Sequence, residues 1–297
     1  LREQEDIDGM PAAEWVAGAL AELRGLSNVR MMTRTTVTGA YDQGTYGAVE
    51  QIAGPRAEGK PLECFWRIVA KHAILCAGAL ERPIAFPNND RPGIMMASAV
   101  RAYVNRWGVA PGKSVAIFGN NDDAHRTARD LVAAGINVAA VIDSREDVKV
   151  SGDFPVYAGA QVTATKGRHA LESITITHGG GTRVIRTDCL AMSGGWNPTV
   201  HLTCHMNGRP TWNAQIASFV PTPESIPGLV TAGACNGAFS TADCLAEGAA
   251  VAADVASGLG LQPKVTVPSA DSTAYAITPL WSVEGKGRKW IDFQNDV

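Results

Sequence analysis

The sequence predicts an α/β fold built on parallel sheet. Three observations carry this. Residues 114–145 read as a buried strand "SVAIF", a turn "GNNDDA", a helix "HRTARDLVAAG" and a second buried strand "INVAAVIDSR". Continuous apolar runs around an amphipathic helix mark a parallel βαβ unit. Two further strands, in "LCAGA" (75–79) and "TAGACNG" (231–237), end in small residues and lie on opposite sides of that unit in the chain. Open parallel sheets take ligands at the carboxyl ends of their strands, and small residues there permit close approach to backbone.

The elements follow in order. Residues 11–26, "PAAEWVAGALAELRGL", carry Trp15, Val16, Ala19, Leu20 and Leu23 at helical spacing, with Pro11 suited to the first turn and Gly25 to the stop. "NVRMMTRTTVTGAYD" reads as strand, turn, strand, and the meander continues past Gly44 and Gly47. "CFWRIVAKHAILCAGA" supplies two more strands, the proline-rich "ERPIAFPNNDRPGIM" a connection, and "ASAVRAYVNRWG" a helix. After the βαβ unit, residues 153–202 alternate β-branched residues with turns. "PGLVTAGACNG" is a strand and "AFSTADCLAEGAAVAADVASGLG" a long helix. The tail after residue 262 completes no element.

The 297 residues suffice for two domains or one large split one, and 45% hydrophobic against 19% charged residues supports a packed core. A net charge of -3 argues against a nucleic-acid partner, and basic clusters such as residues 286–289 are short. No apolar run approaches the roughly 20 residues that span a bilayer, so no membrane partner is expected. No signal peptide is visible in "LREQEDIDG". Opening without Met, the chain reads as a fragment or a processed chain. Six cysteines without any C-x-x-C support neither a zinc site nor a dithiol motif, and read as reduced, buried thiols of a cytoplasmic protein.

The turn of the βαβ unit resembles a dinucleotide-binding loop with its chemistry altered. Such loops read G-x-G-x-x-G/A: the first Gly turns, the second lets backbone meet the pyrophosphate, and the third packs helix on strand. Gly119 fills the first position, Asn121 the second and Ala124 the third. The Asn121 side chain obstructs the approach, although Asn tolerates positive φ and can keep the turn. Asp122 and Asp123 put carboxylates at the helix N-terminus, where they cap the helix and repel phosphate. Asp143 ends the second strand, 24 residues after Gly119. That suits an acid on a ribose 2′-hydroxyl; capping of the strand end is the plainer reading. The loop reads against tight dinucleotide binding. Exchanging Asn121 for Gly and neutralising both acids is expected to improve binding unless the pocket is filled by something else. His125, His169, His178, His201 and His205 lack a nearby acid–nucleophile pattern and read as surface or strand histidines, so no catalytic residue is named.

Taken together, "KHAILCAGALERPIAFP", "TDCLAMSGGWNPTVHL" and "GLVTAGACNGAFSTADCLAEG" resemble the outgoing crossover, return crossover and final cofactor strand of flavoproteins with two Rossmann-like domains, the pyridine nucleotide-disulfide oxidoreductase-like fold. The resemblance implies a split first domain (1–86 plus 199–262), an inserted degenerate second domain (87–198) and the start of a further domain or linker (263–297). More selectively, "IDGMPAAEWVAGALAEL", "NVRMMTRTTVTGAYD", "GGWNPTVHL" and the closing "FQNDV" resemble the α subunit of heterotetrameric sarcosine oxidase over essentially the whole chain. That family implies NAD in the first domain, FAD and FMN in the full complex, and β, γ and δ partner subunits. The family's N-terminal G-x-G-x-x-G strand and its C-terminal folate-binding domain have no counterpart here, so NAD binding is expected only if the missing strand is supplied. Residue by residue, Thr36 and Val37 match the strand beside the adenine, Ala77 and Gly78 the small-residue strand end, and Gly233 and Ala234 the pyrophosphate side of the last strand. The competing readings are a proline- or other amine-dehydrogenase α subunit, a stand-alone NAD(P)H-dependent flavin reductase, which would need an intact loop at 119–124, and a degenerate module kept for assembly.

Overall fold

The computed structural model describes residues 5–52, 59, 61–150 and 152–291; the "FQNDV" segment lies outside them. Its centre is a five-stranded parallel sheet. The strand order is Val156–Ala158, Asn137–Asp143, Ser114–Gly119, Cys189–Ser193, Ile94–Met96. The middle strand, Ser114–Gly119, is buried along nearly its whole length. Its side chains alternate between two cores, as a pleated strand requires. Val115 and Ile117 face the helices Ala97–Trp107 and Asp122–Ala133, with Val100, Val104, Ala128 and Leu131. Ala116 and Phe118 face the other way, into Phe86, Ile174, Ile176 and Leu190. The antiparallel sheet Gln161–Lys166, Ser173–His178, Gly181–Arg186 closes that second face. The result is three layers: helices, parallel sheet, antiparallel sheet.

Local sequence explains the helix ends. Ala97, Val100 and Val104 are the buried stripe of Ala97–Trp107, and Gly108 ends it at φ 64°, where a side chain would be strained. Asp122–Ala133 starts three residues earlier than the apolar period suggests. Its N-terminus is fixed by a cap in the loop, not by burial.

The other half of the molecule is thinner. The strands Thr35–Tyr41, Thr45–Gln51 and Glu63–Val69 form an antiparallel meander. Ala73–Leu75 pairs in parallel with Leu229–Thr231. The helices Ala12–Gly25 and Thr241–Gly258 contain no buried residue, and Val16, Leu23, Phe65, Val69 and Ile74 are exposed. Of the strand, turn and strand expected over 28–42, only Thr35–Tyr41 forms a strand, and Val29 and Met31 before it are exposed. The two halves are joined where Ala79–Glu81 pairs antiparallel with Trp196–Pro198. Among the described residues no helix is long and apolar enough to cross a membrane.

Candidate functional site

The altered loop sits at the carboxyl edge of the central strand. The register puts Gly119 opposite Asp143 on one side and Ser193 on the other. The sequence reading assigned the cap to the aspartates; the cap is Asn121. Its Oδ1 accepts the Asp123 N–H at 3.1 Å, and its Nδ2 donates to the Ser193 carbonyl and to Ser193 Oγ, each at 3.1 Å. Asn121 has φ −149°, so the turn needs no left-handed residue. Extended backbone is what an N-cap adopts, and it aims the amide back at the helix. Asn121→Ala is expected to destabilise the inserted half by about 1–2 kcal/mol, measured by urea titration of the helical signal.

Gly119 and Ala124 serve the packing of strand on helix. A Cβ on Gly119 would lie 2.5 Å from the Ala124 Cβ. Gly119→Ala therefore overpacks the turn, with an expected loss of about 1–3 kcal/mol in the same titration. Asp122 N–H donates to the Ala276 carbonyl at 3.2 Å, and Asp122 Oδ2 accepts from the Ala276 N–H at 2.9 Å. The helix N-terminus, where a phosphate would sit, is thus taken by a segment from the far end of the chain.

Asp143 is fully buried, and both its oxygens are engaged. Oδ1 accepts from the Arg145 backbone N–H at 2.9 Å and from Nε at 3.0 Å. Oδ2 accepts from Arg145 Nη2 at 2.8 Å and from His125 Nε2 at 2.6 Å. Burial acts to raise this carboxyl's pKa, but the hydrogen bonds from His125 and Arg145 outweigh it and hold the pKa below the ordinary value. No lone pair is left open toward a ribose. Arg145 also pairs with Asp122 at 2.8 Å. His125, read from sequence as a surface or strand residue, is instead buried on a helix. Its acid lies 18 positions away in sequence and adjacent in space, because the helix returns antiparallel to the strand.

In the first half, Thr36 and Val37 lie exposed on the Thr35–Tyr41 strand, just before a register shift between Val37 and Gly39. Ala77 is exposed, and Gly78 has φ 73° with nothing within 4 Å of where a Cβ would be. The backbone at 77–78 is therefore uncovered on that side. Gly233 and Ala234 open a 3₁₀ turn, and the Gly233 N–H donates to Glu247 Oε2 at 2.6 Å. A carboxylate thus holds the amide that the resemblance gives to a pyrophosphate. Of the six cysteines, all free, Cys76 and Cys204 are exposed, against the expectation of buried thiols. Cys189 is buried, and burial pushes its thiol up to about 12.

Sequence reasoning missed a polar cluster at the junction of the halves. Glu81 Oε2 accepts the Ser98 N–H at 2.7 Å, capping the Ala97–Trp107 helix, and burial raises its pKa. Arg82 is buried and stacks on Trp281, its guanidinium 4.1 Å from the ring centroid; burial lowers its pKa to about 10. Trp196 Nε1 donates to Asp123 at 2.5 Å, and the buried Tyr275 hydroxyl has no hydrogen-bond partner. The charged pair in "LERP", set within an otherwise apolar crossover, was the available signal.

These features define a class: a two-part α/β fold of the kind found in FAD- and NAD-dependent pyridine nucleotide-disulfide oxidoreductases. T. acidophilum thioredoxin reductase matches it with a TM-score of 0.59 at 15% identity, over 84% of this chain and 81% of that one. L-proline dehydrogenase from P. horikoshii matches with a TM-score of 0.65 at 20% identity, over 86% of this chain and 46% of that one. In sequence the chain is similar to part of sarcosine oxidase subunit alpha. It is 44% identical over 306 residues to that subunit from Rhizobium meliloti (strain 1021), covering 100% of this chain and 31% of the relative. The chain thus spans about a third of the length of the sarcosine oxidase subunits it matches. No family model matches the chain.

Proposed function

We propose that the chain is the nucleotide-binding and scaffolding part of the alpha subunit of a multi-subunit flavoprotein, a cytoplasmic sarcosine oxidase. That enzyme would demethylate sarcosine oxidatively to glycine, with formaldehyde or methylene-tetrahydrofolate and peroxide as the other products. The observation that carries this is the 44% identity to a sarcosine oxidase subunit alpha along the whole chain. Redox chemistry of this kind belongs to the flavin, and the protein binds, orients and excludes. No catalytic role is assigned to any residue here.

NAD is the proposed ligand of the first half. The uncovered backbone at Ala77 and Gly78 and the exposed Thr36 and Val37 support this reading for the adenine and ribose. The pyrophosphate side at Gly233 and Ala234 fits only if Glu247 yields, since its carboxylate now holds the Gly233 amide. Glu247→Gln is therefore expected to tighten NAD binding about tenfold, roughly 1.4 kcal/mol, by calorimetry on the intact assembly. An unchanged affinity would remove Gly233 and Ala234 from the site. FAD and FMN are proposed for the complete complex, with β, γ and δ subunits as partners. The exposed apolar side chains of the thin half support a scaffolding role.

The test is turnover by the purified parent assembly. Sarcosine-dependent formation of peroxide and formaldehyde, with flavin absorbance, supports the proposal. Flavin without sarcosine turnover moves the substrate, with proline tried next. No flavin and no partner subunits would leave an assembly module.

A further inference from the structure

Residues 263–291 add no helix and no regular strand, yet they are bonded to both halves. At one end, Asp8 N–H donates to the Ser269 carbonyl at 2.8 Å and Ser269 N–H to Asp8 Oδ1 at 2.7 Å. In the middle, the segment lies across the altered loop. Thr278 N–H donates to the Asn120 carbonyl at 3.0 Å, and Asn120 Nδ2 donates to the Thr278 carbonyl at 2.9 Å. Ile277 bridges Asn121. The Ala276 carbonyl receives both the Asp122 N–H and Arg145 Nη1, the latter at 2.9 Å. Beyond the loop, Ala85 N–H donates to the Trp281 carbonyl at 2.9 Å and Val283 N–H to the Ala85 carbonyl at 2.8 Å. Val283 is buried in the core with Ile84 and Phe86.

We propose that residues 275–278 are the resident occupant of the inserted half's loop, forming a strap that locks the two halves together and excludes a dinucleotide there. The Ala276 carbonyl takes the place of a phosphate oxygen: it accepts from a helix N-terminal amide and a guanidinium at once. Asp122, which would repel a phosphate, accepts the Ala276 N–H. The same acid that reads as damage to a nucleotide loop is the receptor for the strap. Arg145 ties the strap to the strand end through Asp143 and Asp122. Because the strap is also bonded at Asp8 and at Ala85, on the other half and on its crossover, rotation about the Ala79–Glu81 and Trp196–Pro198 connections would break it. Here the loop holds a downstream segment of its own chain.

Amide hydrogen exchange on the intact subunit in its assembly tests this. In the unmodified protein the amides of Ala276, Thr278 and Asp122 are expected to be protected together, well above neighbouring exposed amides such as Ser272. Exchange at the unprotected chain rate across 275–278 would overturn the proposal. Ala276→Pro deletes the N–H given to Asp122. It should speed exchange at Thr278 and at the junction amides of Arg82 and Gly194 at least tenfold. Helix amides within 100–107 should stay unchanged and serve as the folding control. Ala276→Gly, which keeps the N–H, should behave as the unmodified protein. Faster exchange in the strap with an unchanged junction would refute the lock. Should Ala276→Pro fail to fold, Asp122→Ala removes the same acceptor from the other side and is read by the same amides.

Discussion

Replacing Asp143 by alanine is expected to cost the inserted half about 3–5 kcal/mol, the usual result of removing one member of a buried ion pair. The change leaves Arg145 and His125 facing each other without the carboxylate that both approach. It also leaves the Arg145 backbone N–H without its acceptor. Urea titration of the inserted half would show a lower midpoint with little change in slope. Asp143→Asn keeps the shape and some hydrogen bonds, so its loss is smaller. The pH dependence has a definite sign. The folded pKa of Asp143 lies below the ordinary value, so its contribution is complete above an unfolded value of about 3.9. It is lost as pH falls through the lower folded value. In either variant the fall in stability below about pH 4 is shallower than in the unmodified protein. An acid limb unchanged in Asp143→Asn would show that other carboxylates dominate it.

Arg82→Ala is expected to be nearly as damaging, at about 3 kcal/mol or more. The guanidinium donates through Nε and Nη2 to the Gly194 carbonyl, at 3.1 and 2.9 Å. Through Nη1 it reaches Asn197 Oδ1 at 2.9 Å and the Ala217 carbonyl at 3.1 Å. These acceptors lie on the return crossover and on a hairpin of the other half, so one side chain ties three segments. Truncation leaves buried carbonyls without donors and Trp281 without its stacked cation. Arg82→Lys should recover less than half of the loss, since a point charge cannot reproduce the planar fork. The measurement is the midpoint of thermal unfolding followed by circular dichroism. Full recovery by lysine would mean that charge alone matters at this position.

The inserted half was legible in sequence wherever burial alone decides structure. The apolar strands 114–119 and 137–143 and the helices around 97–107 and 122–133 follow from periodicity, because each buries one stripe or both faces. Of the two strands expected in 28–42 only Thr35–Tyr41 formed, where it pairs with Thr45–Gln51; strand propensity is realised only against a partner. The positive φ allowed for Asn121 was not used: a local cap satisfied the helix in extended backbone.

Of the candidate site, the altered loop was visible because its chemistry is local: Gly119, Asn121, Ala124 and the acids are consecutive or nearly so. Arg82, Glu81 and the His125–Asp143 pair were not, because their partners are separated by many residues in the chain.

By itself, then, the sequence determined an α/β fold, a loop whose second glycine is replaced, and a helix N-terminus furnished with acids. Which group satisfies that terminus was decided only by tertiary structure. A hydrogen-bonding donor is indifferent to where in the chain its acceptor originates. Asp122 and Ala276 are 154 residues apart in sequence and bonded in space, and no local pattern encodes that pairing.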